Sequence, residues 1–469
     1  MRRLLPRLAL AVAAVALAGC APLGPDYQRP VAELPAAYPL PGPADATYVR
    51  ADWWQAFGQP ELSGLVAQAL ERNTDIAQAI ARVEQADGVL REAGGALLPE
   101  VDLAATGNRA RTSGTARGVP QGNGSIGNDL RFGLATSYEL DFWGKYRRGY
   151  ESAQAQARAS AAARDTVRLT VAGLTAQGWI ALRSLDDQVA ATRTTFKIRD
   201  EAVRILDARL QGGTGSRLDL EQALGLRTDA SLLLRDLLRQ RALAQSTLAV
   251  LTAQPGLELP EGTLADVAVP PLPAAGLPSE LLQRRPDVRR AEEQLVAANA
   301  LIGVARAAMF PSISLIGSVG AESTALSTLL ESPAHIWSLG FGLSLPLFDG
   351  GRLAARLDQA GAVDRQAVAA YQGAVFNAFK DAADALVTLA AARDAEADWR
   401  ERDRSARNTQ RLTLLRYEAG YSGFFELIDA QRNATASTLE VVRNRAAQLS
   451  ATVDLYRALG GGWQETPTQ

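Results

Sequence analysis

Two kinds of hydrophobic pattern alternate along the chain. Leu130, Phe132, Leu134, Thr136, Tyr138 and Leu140 fall on one face of an extended segment, and Asp129, Arg131, Gly133, Ala135, Ser137 and Glu139 on the other. A period of two predicts a strand whose faces meet different surroundings. Trp337, Leu339, Phe341, Leu343 and Leu345 repeat the pattern against Ser338, Gly340, Gly342, Ser344 and Pro346. So do Ile313, Leu315, Gly317 and Val319 against Ser312, Ser314, Ile316 and Ser318. Val101, Leu103 and Ala105 against Asp102, Ala104 and Thr106 make the weakest of the four. Strands are therefore expected at about 100–113, 128–142, 312–323 and 335–347.

Elsewhere the period is helical. Leu439, Val442, Ala446, Leu449, Val453, Tyr456 and Gly460 alternate steps of three and four, a heptad seam. Residues 121–254 and 347–466 lack proline and are rich in good helix formers. Gly212 to Gly215 break the first run, and Gly420 to Gly423 the second. Long helices are expected over 145–211 and 351–419, each followed by a helix, 216–252 and 424–460. At 1.5 Å per residue the first would be roughly 100 Å long, beyond an ordinary globular domain. Alanines at 153, 155, 157, 159 and 161–163 allow close helix approach.

The pattern occurs twice. Asp75-Ile76 answers Asp287-Val288, and Leu98-Pro99 answers Phe310-Pro311, both 212 apart. Ser137 answers Ser344, Gly144 answers Gly351, Lys145 answers Arg352, Gly213 answers Gly420, Leu220 answers Leu427 and Ala223 answers Ala430, all 207 apart. The single change of offset implies a longer surface loop in the first half. The organisation read from this is a signal peptide (1–19), a lipidated Pro-rich linker (20–60) and a first repeat (61–254). A linker (255–278), a second repeat (279–463) and a tail (464–469) follow. Each repeat runs helix, strand, loop, strand, very long helix, turn, helix.

Strand length and alternation suit a membrane: apolar to lipid, polar to a lumen. Tyr138, Phe142, Trp143 and Phe348 stand where an interfacial girdle would lie. Four strands cannot close, and an open edge in lipid leaves backbone groups unsatisfied. Two chains would give eight strands, and three would give twelve with room for a lumen. The small residues Gly133, Ala135, Gly340 and Gly342 favour an open bore.

The N-terminus supports an envelope address. Arg2, Arg3 and Arg7 precede the apolar run Leu8–Ala18, which is too short to span a bilayer and fits a secretory leader. It ends in Leu17-Ala18-Gly19-Cys20, which resembles a bacterial lipobox. The expectation is a Cys20 carrying S-diacylglycerol and N-palmitoyl chains, enough for stable anchoring. Ala21, by resemblance to lipoprotein sorting, permits transport to the outer membrane.

Composition removes other chemistry. The 469 residues hold 49 Lys+Arg against 51 Asp+Glu, which argues against a nucleic-acid partner. Cys20 and His335 are the only residues of their kinds, so an internal disulfide, a Cys/His zinc site and a one-chain Ser-His-Asp triad are excluded. Lys145, Lys197 and Lys380 are the only lysines, and the glycines at 212–215 read as a helix reversal, not a phosphate cradle. No enzyme activity, cofactor or metal is expected. His335 reads as an exposed loop residue, and Asp186-Asp187 and Glu292-Glu293 as solvated helix faces.

The chain resembles the outer-membrane factor family of TolC-like exit ducts, in its lipoprotein branch. The residues that carry the resemblance are Gly24-Pro25-Asp26-Tyr27 with Arg29-Pro30; Trp53-Trp54 with Phe57, Pro60, Glu61 and Leu62; Arg285-Pro286-Asp287-Val288; Phe310-Pro311; Phe348-Asp349-Gly350-Gly351-Arg352; Asp429-Ala430-Gln431-Arg432; and Leu459-Gly460-Gly461-Gly462-Trp463. The resemblance implies a mixed α/β membrane protein with an internal two-fold repeat. A long coiled-coil α-helical barrel joins a transmembrane β-barrel completed by trimerisation, four strands per chain. It also implies an outer-membrane location extending into the periplasm, a periplasmic adaptor, and an inner-membrane pump of the resistance-nodulation-division type.

By motif match Phe425, Asp429 and Arg432 fall on the periplasmic constriction. Phe425 and Asp429 are four apart and share a helix face. The competing reading makes Asp429 a solvated charge and Phe425 core. Leu218 and Gln222 hold the equivalent places in the first half, so the charge occurs once per chain and a gate would be threefold. Gly212, Gly213, Gly215, Ser216, Gly420, Ser422 and Gly423 are expected to meet the adaptor. The function so implied is efflux of drugs or other small amphiphiles. A type I secretion duct for polypeptides, or a structural coiled-coil lipoprotein without a pore, are the alternatives.

Overall fold

In the computed structural model, residues 22–31, 33–35, 37–38, 49–111, 113, 126–271 and 284–463 are described. The leader, Cys20 and the tail from 464 lie outside them, as do most of the loop between the first two strands and part of the linker at 255–278. The elements are α1 (Pro60–Arg72), α2 (Thr74–Gly95), β1 (Glu100–Arg111), β2 (Ile126–Glu139), α3 (Lys145–Gln211), α4 (Arg217–Leu251), α5 (Pro286–Ala307), β3 (Ser312–Ser323), β4 (His335–Ser344), α6 (Arg352–Glu418) and α7 (Phe424–Ala458). The duplication is visible in their lengths. Helices α2 and α5 both have 22 residues, α3 and α6 both 67, and α4 and α7 both 35. Among the described residues no helix is long and apolar enough to cross a membrane.

The chain forms two compact units. One holds residues 22–30, Val83–Ser160 and Ala291–Tyr371, and contains a four-stranded antiparallel sheet in the order β1-β2-β3-β4. The register sorts side chains by face. Leu103 pairs with Leu134, which pairs with Val319, which pairs with Trp337. Ala135, opposite Asp102, pairs with Ser318, and Ser318 with Ser338. Thus the four strands turn most of their large apolar residues to one side, with Ile316 and Ile336 on the other. Phe132, Leu315, Leu339, Phe341 and Leu343 are exposed on the first side. Strands β1 and β4 are the open edges.

The strands stop sooner than their alternation suggests. Strand β2 ends at Glu139 because Asp141 turns to cap α3, accepting the Tyr146 and Arg147 amides at 3.2 and 2.9 Å. Strand β4 ends at Ser344, two residues before Pro346, which has no N–H for a ladder. Asp349 then accepts the Leu353 amide at 2.8 Å and caps α6.

The same unit holds the N-terminal segment 22–30 as a strap. The Leu23 amide donates to the Trp143 carbonyl at 3.0 Å, and Arg148 pairs with Asp26 at 2.7 Å. Glu292 accepts from Arg29 at 2.6 and 3.0 Å and from the Tyr27 hydroxyl at 3.1 Å. Glu292 and Glu293 are buried, and Glu293 pairs with Arg158 at 2.9 Å. These glutamates are therefore not a solvated face, because inserted arginines compensate their burial. The alanine stretch performs as its size allows. Ala155, Ala159 and Ala162 are buried, and Ser152 donates across to the Ala297 carbonyl of α5 at 3.0 Å.

The second unit holds Val31–Arg82, Ala161–Arg290 and the residues from Gln372. Its core gathers Trp53, Phe57, Leu62, Val66, Trp179, Ile180, Leu264, Leu449, Val453 and Tyr456, with Trp53 stacked on Tyr456 at 5.5 Å. The heptad seam thus serves as α7's packing face. Where one helix was expected, Asn73 divides two. Its side-chain oxygen accepts the Asp75 amide at 2.9 Å as an N-cap, and its amide donates to the Leu251 carbonyl at 3.0 Å. Asp186 is buried rather than solvated. Arg183 and Arg241 each reach it at 2.6 Å, and the Gly262 amide donates to it at 3.0 Å. Asp187 accepts the Leu264 amide at 2.9 Å, so the pair pins the linker to α3.

Candidate functional site

The two helix reversals lie in the second unit and are built alike. After α3, Gly213 takes φ +75°, its amide donates to the Leu210 carbonyl at 3.0 Å, and the Thr214 amide donates to Arg209 at 2.9 Å. After α6, Gly420 takes φ +79°, its amide donates to Tyr417 at 3.0 Å, and the Tyr421 amide donates to Arg416 at 2.8 Å. Both are Schellman caps, which need a left-handed residue and so favour glycine. Gly215 is held by space instead: a Cβ there would stand 2.7 Å from the Leu210 nitrogen. Gly212, Gly213, Ser216, Gly420 and Gly423 are exposed, and Gly215 is half-buried. Ser216 and Gly423 are the N-caps of α4 and α7 and make no side-chain cap bond. The Ser422 hydroxyl is buried without a partner.

The first turn of α7 separates two adjacent phenylalanines. Phe424 points inward against Val203, Leu206, Ala223, Leu427 and Ile428, and its ring lies 5.6 Å from that of Tyr417. Phe425 points outward and is 71% exposed, so it is not core. Asp429 is exposed one turn further on. The two share a shallow recess of 280 Å³ with Thr409, Thr413 and Asn433.

Asp429 is not paired with Arg432. The Asn433 amide donates to it at 3.1 Å, and Arg432 makes no hydrogen bond or ion pair among the described residues. Behind Arg432 stands Arg199 of α3. Thr195 and Thr435 meet at 3.4 Å, and one turn nearer the reversal brings Arg199 against Arg432. Arg199 donates to the Leu226 carbonyl at 2.8 Å, while its Nε has no partner. Burial lowers the Arg199 pKa; Asp229 opposes this and the Arg432 charge adds to it. Asn433 and Arg199 carry no motif of their own. Only their helical spacing from Asp429 and their opposition across α3 and α7 reveal them.

His335 opens β4 and is exposed. Among the described residues no group of His, Cys, Asp and Glu is arranged to hold a metal ion.

A sheet that gathers most of its large apolar side chains on one face, with long helices that reverse at glycine turns, defines the class: a membrane-channel subunit. A model of the outer membrane efflux protein family matches residues 65–254 and 277–461, and the chain belongs to that family. It is 34% identical over 468 residues to the outer membrane protein OprJ of Pseudomonas aeruginosa, covering 96% of this chain and 95% of OprJ. It is 32% identical over 462 residues to the probable outer membrane lipoprotein SilC of Salmonella typhimurium, covering 96% and 97%. The Campylobacter jejuni CmeC outer membrane channel superposes with a TM-score of 0.89 at 27% identity, covering 96% of each chain. The protein is an outer-membrane efflux channel, and members of its family are transport proteins.

Proposed function

We propose that three copies of this chain join their sheets edge to edge and form the exit duct of a tripartite efflux pump. The observation that carries the reading is the sheet itself, with most of its large apolar side chains exposed on one face and two unpaired edges. Within a membrane both edges must be paired, and three sheets of four strands give a barrel wide enough for a lumen. The lumen-side residues Gly133, Ala135, Ser318, Ser338, Gly340 and Gly342 are small and offer no built binding site, as suits a conduit for drugs and other small amphiphiles. The long helices carry no nucleotide-binding motif, and a periplasmic adaptor and an inner-membrane pump of the resistance-nodulation-division type drive opening. The adaptor meets the exposed reversals at Gly212–Ser216 and Gly420–Gly423.

The gate lies at the start of α7. Three Phe425 rings form an apolar obstruction, and three Asp429 carboxylates form a negative ring beside it, with Arg432 not paired to them. Cys20 carries the lipid anchor, with the strap 22–30 tying it to the first unit. Cys20→Ser abolishes incorporation of radiolabelled palmitate and leaves partial transport; label in the Ser variant would contradict the anchor. Single-channel conductance in planar bilayers tests the duct, and a chain that inserts without conducting would contradict it. Rescue of drug resistance, but not of polypeptide secretion, in cells lacking their own duct tests the cargo.

A further inference from the structure

The strands segregate charge as sharply as they segregate hydrophobicity. Glu100, Asp102, Asp129, Glu139 and Glu322 all fall on the lumen-side face. Arg131 joins them there and pairs with Glu322 at 3.2 Å. The lipid-side face of the four strands bears no carboxylate. Its charged residues are Arg109 and Arg111, placed opposite Asn128 and Ile126 at the hairpin end of β1. Both are exposed, and neither makes a hydrogen bond or ion pair among the described residues.

Their height is informative. The apolar rows on this face run from Ile313 with Leu343 to Leu130 with Ser323, which is ten residues along β3. That is about 33 Å of strand, or about 25 Å of height at a tilt of about 40°, the thickness of the apolar band of such barrels. Arg109 lies one row beyond Leu130 and Arg111 two rows beyond, about 5 and 10 Å above the band. Helices join the sheet at Glu100, Glu139, Ser312 and Ser344, so the arginines stand at the end away from the periplasm. That end faces the outer leaflet, whose headgroups in a Gram-negative outer membrane are phosphorylated glycolipids. Arginine's planar fork matches phosphate, and no carboxylate among the described strand residues of this face competes for it.

We propose that Arg109 and Arg111 form a docking site for the phosphates of lipopolysaccharide. The inference rests on the sheet's spanning the outer membrane and is independent of the gate. The test counts lipid on the purified full-length protein by native mass spectrometry. The probes are bisphosphorylated lipid A, its dephosphorylated form, and inorganic phosphate. Bisphosphorylated lipid A binds the wild type, and Arg109→Gln with Arg111→Gln weakens it by about tenfold or more, the loss of one or two charge-assisted contacts. Arg131→Gln, on the lumen side, leaves binding unchanged. Equal binding by wild type and double variant, equal binding of dephosphorylated lipid A, or inorganic phosphate held as tightly as the lipid would each overturn the proposal. Unaltered conductance shows that the double variant keeps its barrel. If it does not, Arg111→Gln alone decides, since that residue lies furthest from the apolar band. A wild type that fails to insert into bilayers would instead refute the membrane-spanning sheet.

Discussion

Phe425 and Asp429 project from one face of α7 while Phe424, Leu427 and Ile428 bury the other, so two functions share a single helical turn. The proposed gate makes them separable. Phe425→Ala removes bulk and keeps the charge, so conductance rises while cation preference persists. Asp429→Ala removes three carboxylates per channel. Each is worth about 1 kcal/mol to a cation at close range in water, so cation preference falls about tenfold or more. The double variant conducts most and sensitises cells to a large antibiotic such as vancomycin. Bilayer recordings in which all three variants match wild type would place the constriction elsewhere. The spacing of Phe425 and Asp429 was readable from the sequence, as was their common face. The partner of Asp429 was not. Arg432 and Asn433 are both within one turn of it, and only the structure shows that Asn433 donates to it and Arg432 does not. Likewise Glu292 and Glu293 read as surface charges because their partners Arg29 and Arg158 lie more than a hundred residues away, and Asp186 because Arg241 and the Gly262 amide, which help bury it, are distant in sequence although Arg183 is near.

Elements were legible where a single period governs them. The four strands and the paired long helices follow from alternation, heptads and missing prolines, because each has one uniform environment per face. Their ends depend on single side chains that the period does not contain. Asp141 and Asp349 cap the long helices, and Asn73 splits α1 from α2. The strap 22–30 is the element that the sequence described least. Its prolines exclude a helix, yet its path is set by Glu292 and Arg148. Glu292→Gln leaves the Arg29 guanidinium without its buried counter-charge, at a cost of about 2 kcal/mol to strap docking. Hydrogen exchange checks this at the Leu23 amide, now bonded to the Trp143 carbonyl. It should exchange about tenfold faster or more. Unchanged protection would show that Asp26 and Arg148 hold the strap alone.

At the scale of the whole molecule, the unpaired edges decide the assembly. In the proposed trimer β4 of each chain pairs with β1 of the next. Within one chain these strands are three sheet spacings apart, about 14 Å. A disulfide needs Cα atoms within about 7 Å, so no bond can form between β1 and β4 of the same chain. Cys20 is the chain's only cysteine, and the proposed lipid anchor would take it out of thiol chemistry. A cysteine at Ala104, on the lumen side of β1, can then be combined in turn with Ser338→Cys, Gly340→Cys, Gly342→Cys or Ser344→Cys on the same side of β4. Oxidation of the protein in membranes should give covalent dimers and trimers on a denaturing gel for one or two neighbouring positions of the scan and little for the rest. The reactive position then fixes the register between subunits, which no single chain contains. A ladder extending past three chains would mean that the edges join without closing. Monomers throughout the scan would mean that β1 and β4 meet no partner, and the shared barrel would have to be abandoned.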